Sequence, residues 1–236
     1  MPADGQDWSA YLDSLFRPSG VLSRLDSAIA LAQEARGPAP APFGVTIMIP
    51  YAKRGSDRAA AVQAYAGDVE RRFAMAQLGN LRLDGFYWFC EDAPPRDVEL
   101  ITHTAAAVHA RGLRFLWIPY YKAANWGRWR ELGFDAAWLQ PNYFFDPTIP
   151  SSRLDSAARQ AEGREMGLEV EFDGRLWSDP RFADRLDPYL TTLDRHPGIK
   201  ARGIAVYEGG GALLHLASSR APRDRALYDT LDEMLR

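Results

Sequence analysis

From residue 45 onward, short apolar runs rich in β-branched and aromatic residues alternate with segments of helical periodicity. No other feature of the chain limits its fold as strongly. The runs cover residues 45–51, 83–90, 113–118, 134–140, 167–172 and 204–207, and the spacing predicts a strand over each. Helical spacing is predicted over 57–78, 94–111, 125–132 (a short one), 152–166, 180–195 and 223–235. An earlier helical region spans 8–31 and is broken by residues 37–42. Strictly alternating strand and helix favour an α/β fold with parallel strands and right-handed crossovers. With 236 residues, a single domain over 1–236 is expected. The preferred architecture is a (β/α)8 barrel of the TIM type. Six strands are visible where such a barrel has eight, so the expectation is a barrel lacking its first two strands. An open doubly wound sheet is the alternative. No glycine-rich phosphate loop follows a strand, and Gly209, Gly210 and Gly211 do not form a dinucleotide fingerprint.

Composition narrows the partners. A net charge of -3 gives no electrostatic reason to expect nucleic acid or an anionic membrane surface. No stretch approaches the ~20 apolar residues of a membrane span. Residues 1–7 are polar and lack a signal-peptide core. The single cysteine, Cys90, excludes an intrachain disulfide and has no obvious histidine partner. His103, His109, His196 and His215 show no metal-ligand spacing, so no metal and no cofactor is expected, and a Gly-x-Ser-x-Gly elbow is absent.

The carboxyl ends of parallel strands carry the site in such folds. Here every run stops on polar or aromatic residues. They include Pro50-Tyr51, Glu91-Asp92, Tyr120-Tyr121-Lys122, Gln140-Pro141-Asn142-Tyr143, Glu169-Val170-Glu171-Phe172-Asp173 and Tyr207-Glu208. Glu169 and Glu171 alternate with Leu168, Val170 and Phe172, which places both carboxylates on one face of a strand. An inward acid is costly unless bonded, paired or functional. A wet edge strand or a salt bridge would account for the pair without chemistry. Glu91 follows Tyr87-Trp88-Phe89-Cys90, an apolar setting that would keep a carboxyl protonated as a general acid. Capping of the next helix is the plain alternative, and Asp92 suits it better. Trp88, Trp117 and Trp138 lie inside strands and read as core. Tyr51, Tyr120, Tyr121, Tyr143 and Tyr207 sit at strand ends, where rings can stack on sugar faces and hydroxyls can bond sugar hydroxyls.

Several motifs taken together resemble a known family: Asp7-Trp8, Ile49-Pro50-Tyr51, Leu83-Asp84-Gly85-Phe86-Tyr87-Trp88, Trp117-Ile118-Pro119-Tyr120-Tyr121, Gln140-Pro141-Asn142-Tyr143-Phe144 and Glu169-Val170-Glu171-Phe172-Asp173. The family is domain of unknown function 4855, and the likeness runs over nearly the whole chain. The resemblance implies a bacterial, often exported, glycoside-hydrolase-like barrel with two further strands before the Asp-Trp motif. Glu91 would then close the fourth barrel strand and Glu171 the seventh, the arrangement of a large clan of retaining glycosidases. The expected reaction is glycoside hydrolysis with retention. Glu91 would be acid/base and Glu171 nucleophile, with Glu169 tuning it. Gln140 and Asn142 would bond sugar hydroxyls, and Tyr51, Tyr120, Tyr121, Tyr143 and Tyr207 would shape the subsites. Two alternatives belong to other classes. One is a carbohydrate-binding barrel without catalysis. The other is a metal-dependent hydrolase using Glu169, Glu171 and Asp173 as oxygen ligands.

Overall fold

A computed structural model describes residues 5–52 and 57–235. The chain is α/β. It packs as two compact units, one formed by Met1–Trp117 with Arg128–Asp135, the other by Ile118–Gly127 with Ala136–Arg236.

The first unit opens with α1 (Gly5–Phe16) and α2 (Val21–Arg36), then β1 (Phe43–Ile49), α3 (Arg58–Ala76), β2 (Leu81–Trp88), α4 (Val98–His109) and β3 (Arg114–Trp117). β1 pairs with β2 and β2 with β3, all parallel. The register slips between Val45 and Thr46, which pair with Leu83 and Gly85, so Asp84 is the extra residue of a bulge. Its carboxylate pairs with Arg114 and with Arg82. Phe86, Trp88, Phe115 and Trp117 are fully buried. Phe134 stacks on Phe115 at 4.5 Å and on Trp117 at 4.9 Å. Trp8 of α1 meets Tyr65 of α3 edge-on at 5.2 Å, and the Tyr65 hydroxyl donates to the Met48 carbonyl at 2.6 Å.

The second unit holds β4 (Ala136–Leu139), α5 (Ser152–Glu162), β5 (Gly167–Asp173), α6 (Arg175–Ser178), α7 (Asp187–Arg195), α8 (Pro197–Arg202), β6 (Ile204–Gly209), α9 (Ala212–Ser218) and α10 (Pro222–Leu235). β4, β5 and β6 are parallel neighbours in chain order. Leu139, Leu168, Val170 and Phe172 are sealed together with Leu154, Ala157, Ala158 and Ala161 of α5 and with Leu193 of α7. Among the described residues no helix is long and apolar enough to cross a membrane.

Two helices differ from the periodicity. The span 180–195 is not one helix: residues 180–186 are turn and bend, and α7 begins at Asp187. Pro188 sits in its first turn, where a missing N–H costs nothing; further inside a helix it would break the ladder. Over 125–132 only the 3-10 turn Trp126–Arg128 forms, after Asn125 takes a left-handed φ of 58°.

Gly167 opens β5 opposite Trp138. A Cβ there would lie 2.3 Å from the Trp138 ring and 2.3 Å from the Gly203 carbonyl. Backbone on one side and an indole on the other leave no room to yield. Gly167→Ala is therefore expected to cost about 1–3 kcal/mol by overpacking. A lowered urea midpoint with an unchanged m-value would register it; an unshifted midpoint would contradict it.

Candidate functional site

The ends of β4, β5 and β6 bring together most of the residues singled out from the sequence. The register pairs Trp138 with Gly167, Glu169 with Ala205 and Glu171 with Tyr207. Side chains of paired residues share a face, so Trp138, Glu169, Glu171 and Tyr207 stand on one side of this sheet. The alternation read from the sequence is therefore present in space.

Glu171 is fully buried. Its Oε2 accepts the Tyr189 hydroxyl at 2.7 Å and the Tyr143 backbone N–H at 3.0 Å. Oε1 is enclosed with no hydrogen bond, and the same holds for Gln140 Oε1. Burial pushes the Glu171 carboxyl above its ordinary range, against the pull of Tyr189, the Tyr143 N–H, the Gln140 side chain and the Phe144 N–H. Burial also raises the Tyr189 hydroxyl well above its usual value, helped by the Glu171 charge. Glu169, on the same face, is 4% exposed.

At the end of β5, Asp173 is half-buried. Both of its oxygens accept from Arg175, at 3.0 Å from Nε and 2.8 Å from Nη2, and Oδ1 also takes the Arg175 backbone N–H at 2.9 Å. Burial alone would raise its carboxyl, but the Arg175 guanidinium and N–H together hold it below the ordinary value. With those oxygens occupied, Glu169, Glu171 and Asp173 are not arranged as an oxygen-ligand trio. Among the described residues no group of three His, Cys, Asp or Glu is placed to hold a metal ion.

Two open cavities lie beside these strand ends. One, about 400 Å³, is lined by Tyr120, Tyr121, Lys122, Asn142, Phe145, Asp146, Ile149 and Arg153. The other, about 620 Å³, is lined by Phe145, Asp173, Gly174, Arg175, Trp177, Ser178, Tyr207, Gly209 and Gly210. Phe145 belongs to both walls, so the two form a run of aromatic-lined surface. Tyr207 is 50% exposed and meets the Phe145 ring edge-on at 5.7 Å. Trp177 stacks flat on His215 at 3.9 Å, which fixes its plane.

The tyrosines divide by role. Tyr121 is held at both ends: its hydroxyl bonds Ser156 at 2.8 Å and takes a bond from Gln160 at 3.0 Å, while its N–H donates to Asn142 Oδ1 at 3.2 Å. Asn142 has φ 51°, a left-handed setting asparagine tolerates, and this turns its amide back onto Tyr121. Tyr120 bridges to Gln140. Tyr143 is buried and lines neither cavity. Its N–H serves Glu171, and its ring lies under the Arg185 guanidinium at 3.8 Å.

Arg185 gave no signal in the sequence. Its guanidinium is buried and donates to the carbonyls of Phe144 at 3.2 Å, Asp146 at 3.0 Å, Ile149 at 3.3 Å and Pro147 at 3.4 Å, and to that of Tyr143. One side chain thus anchors the loop that supplies Phe145, Asp146 and Ile149 to the cavities. Tyr189 was equally hidden, because both residues fall in the span read as one helix. Arg175 was within reach, two residues past the strand-end Asp173.

The remaining sequence-derived residues are in the first unit. Tyr51 donates to Asp97 Oδ2 at 2.9 Å, and Arg58 donates to Asp97 Oδ1 at 2.7 Å with its guanidinium 5.0 Å above the Tyr51 ring. Asp97 is 1% exposed, so Tyr51 belongs to a half-buried Tyr–Asp–Arg cluster centred on a buried carboxylate. Glu91 is exposed, three residues past the end of β2. Cys90 is half-buried, and burial raises its thiol above the usual value.

A family model described as domain of unknown function (DUF4855) matches residues 52–233. No curated protein matches the chain.

Proposed function

Because the chain belongs to the DUF4855 family, whose description names no activity, we propose its function from the site: it acts on a glycan that lies along the aromatic surface at the ends of β4, β5 and β6. The observation that carries this reading is the pair of open cavities joined at Phe145 and walled by Tyr120, Tyr121, Trp177 and Tyr207 beside a strand-end carboxylate. Flat aromatic walls with a few fixed polar groups suit sugar rings, which present an apolar face and a hydroxyl rim. We read the parallel βα units as part of a (β/α)8 barrel, a scaffold on which strand-end carboxylates commonly do such work. In the fuller form of the proposal the glycan is hydrolysed with retention, Glu171 attacking the anomeric carbon and Glu91 serving as acid/base.

A second reading, glycan binding without hydrolysis, is favoured by one observation. Glu171 is fully enclosed and hydrogen-bonded to Tyr189 and Tyr143. Attack by its oxygen requires that cover to open.

The test is to incubate the protein with a panel of polysaccharides and follow new reducing ends and binding heat in parallel. Hydrolysis that falls about 10²–10⁴-fold in Glu91→Gln supports the enzyme. Binding without cleavage supports the second reading. Neither binding nor cleavage across the panel rejects both.

A further inference from the structure

We infer that the 400 Å³ cavity selects an acidic glycan, one whose sugars carry carboxylates as uronic acids do; this rests on the glycan reading above. The argument starts from two cations. Arg153 lies in the first turn of α5 and lines the cavity. Its guanidinium packs over the Tyr121 ring at 4.3 Å, and Nη1 donates to the Pro141 carbonyl at 3.3 Å. Among the described residues no carboxylate pairs with it. Stacking on Tyr121 fixes the guanidinium plane, and Tyr121 is itself fixed through Ser156 and Gln160. The Nε and Nη2 donors make no hydrogen bond among the described residues, and neither is sealed away.

Lys122 lines the same cavity, is exposed, and likewise has no ion-pair partner among the described residues. Elsewhere on the surface of this unit arginines pair with a neighbouring acid, as Arg175 does with Asp173 and Arg181 with Asp179. Lys122 and Arg153 thus bring two unpaired cations to one cavity wall. The acid in the cavity, Asp146, is turned to its own loop: Oδ1 accepts from the Thr148 N–H at 2.9 Å and the Thr148 hydroxyl at 2.7 Å. The balance of Lys122, Arg153 and Asp146 is one positive charge, and the first turn of α5 adds its positive dipole end beside Arg153.

A guanidinium edge held in a fixed plane matches the two oxygens of a carboxylate. Neutral sugars offer hydroxyls, which would leave both cations unneutralised. A uronic acid ring can rest against Phe145 while its carboxylate reaches Arg153 and Lys122.

The experiment is affinity measurement by calorimetry on the whole chain. The probes are polygalacturonate, alginate and hyaluronan, each compared with its carboxyl-reduced counterpart. At least one acidic polymer is expected to bind about tenfold or more tighter than its reduced form, as one charge-assisted contact would give. That preference should weaken with salt and fall to within about twofold in Arg153→Gln and, separately, in Lys122→Gln, through a larger loss of affinity for the acidic form than for the reduced one. Equal affinity for acidic and reduced polymers overturns the inference and leaves the glycan reading standing. Binding of neither form, with neutral glucans and mannans also unbound, overturns both. Because Lys122 is exposed, its variant keeps the test valid even if Arg153→Gln unfolds the chain.

Discussion

In Glu171→Gln, the glycan hydrolysis proposed above is expected to fall roughly 10⁴- to 10⁶-fold while the fold is at least as stable as the parent at neutral pH. The two halves of this result have separate causes. An amide cannot attack an anomeric carbon, so a glycosidase that uses Glu171 loses its covalent step. Stability follows from the surroundings. The amide oxygen can still accept from Tyr189 and the Tyr143 N–H. Burial raises the Glu171 carboxyl above its unfolded value, so between the two values the folded state binds more protons than the unfolded one. The stabilisation from this group is complete below the unfolded value and is lost as pH rises through the folded one. Glutamine never ionises, so the variant should gain on the parent as pH climbs through that window. Urea midpoints taken at a series of pH values, beside reducing-end assays, would show both effects. Retained activity would make Glu171 a structural carboxyl. Glu171→Leu should instead lose about 2–4 kcal/mol, because the Tyr143 N–H and Tyr189 hydroxyl are left without an acceptor.

Arg185→Met is expected to cost about 3 kcal/mol or more. The Tyr143 and Phe144 carbonyls bonded to Arg185 are in buried contacts, and each buried carbonyl left alone costs about 1–3 kcal/mol. The carbonyls of Asp146, Pro147 and Ile149 lie nearer solvent and can turn to water, so they add less. Lysine should restore little, since one ammonium cannot serve five carbonyls fanned around a plane. The loop at 143–149 should become the first site of protease cleavage, and glycan affinity should drop with it because Phe145 loses its position. Proteolysis that is no faster than in the parent, with an unshifted urea midpoint, would show that the loop is held by its own packing.

What could be read from the sequence was whatever repeats along a strand or a helix. The six strands and the helices α3, α4, α5 and α10 follow from period and composition. Glu169 and Glu171 share a face because alternation is a property of the strand itself. Of the three tryptophans read as core, Trp88 and Trp117 are buried and Trp138 is half-buried. What could not be read depends on elements distant in sequence. Tyr189 reaches Glu171 from eighteen residues on, and Arg185 reaches Tyr143 across forty-two. Both sit in a stretch whose apolar spacing suggested a continuous helix, and only Pro188 hinted at the break. Tyr143 shows the limit in the opposite sense. Its place after a strand suggested a subsite wall, but its backbone N–H is taken by Glu171 and its ring by Arg185. Asp97, which ties Tyr51 to Arg58, lies in a turn that periodicity does not reach.

The first unit takes back residues 128–135 after the chain has already contributed 118–127 to the second. That detour sets an order on assembly during synthesis. Phe134 is the ring that stacks on Phe115 and Trp117, so a nascent chain that has emerged only to residue 127 leaves both rings uncovered. The first unit therefore cannot finish its core at Trp117, where its contiguous sequence stops. It must wait for another eighteen residues to leave the ribosome, ten of which belong to the second unit.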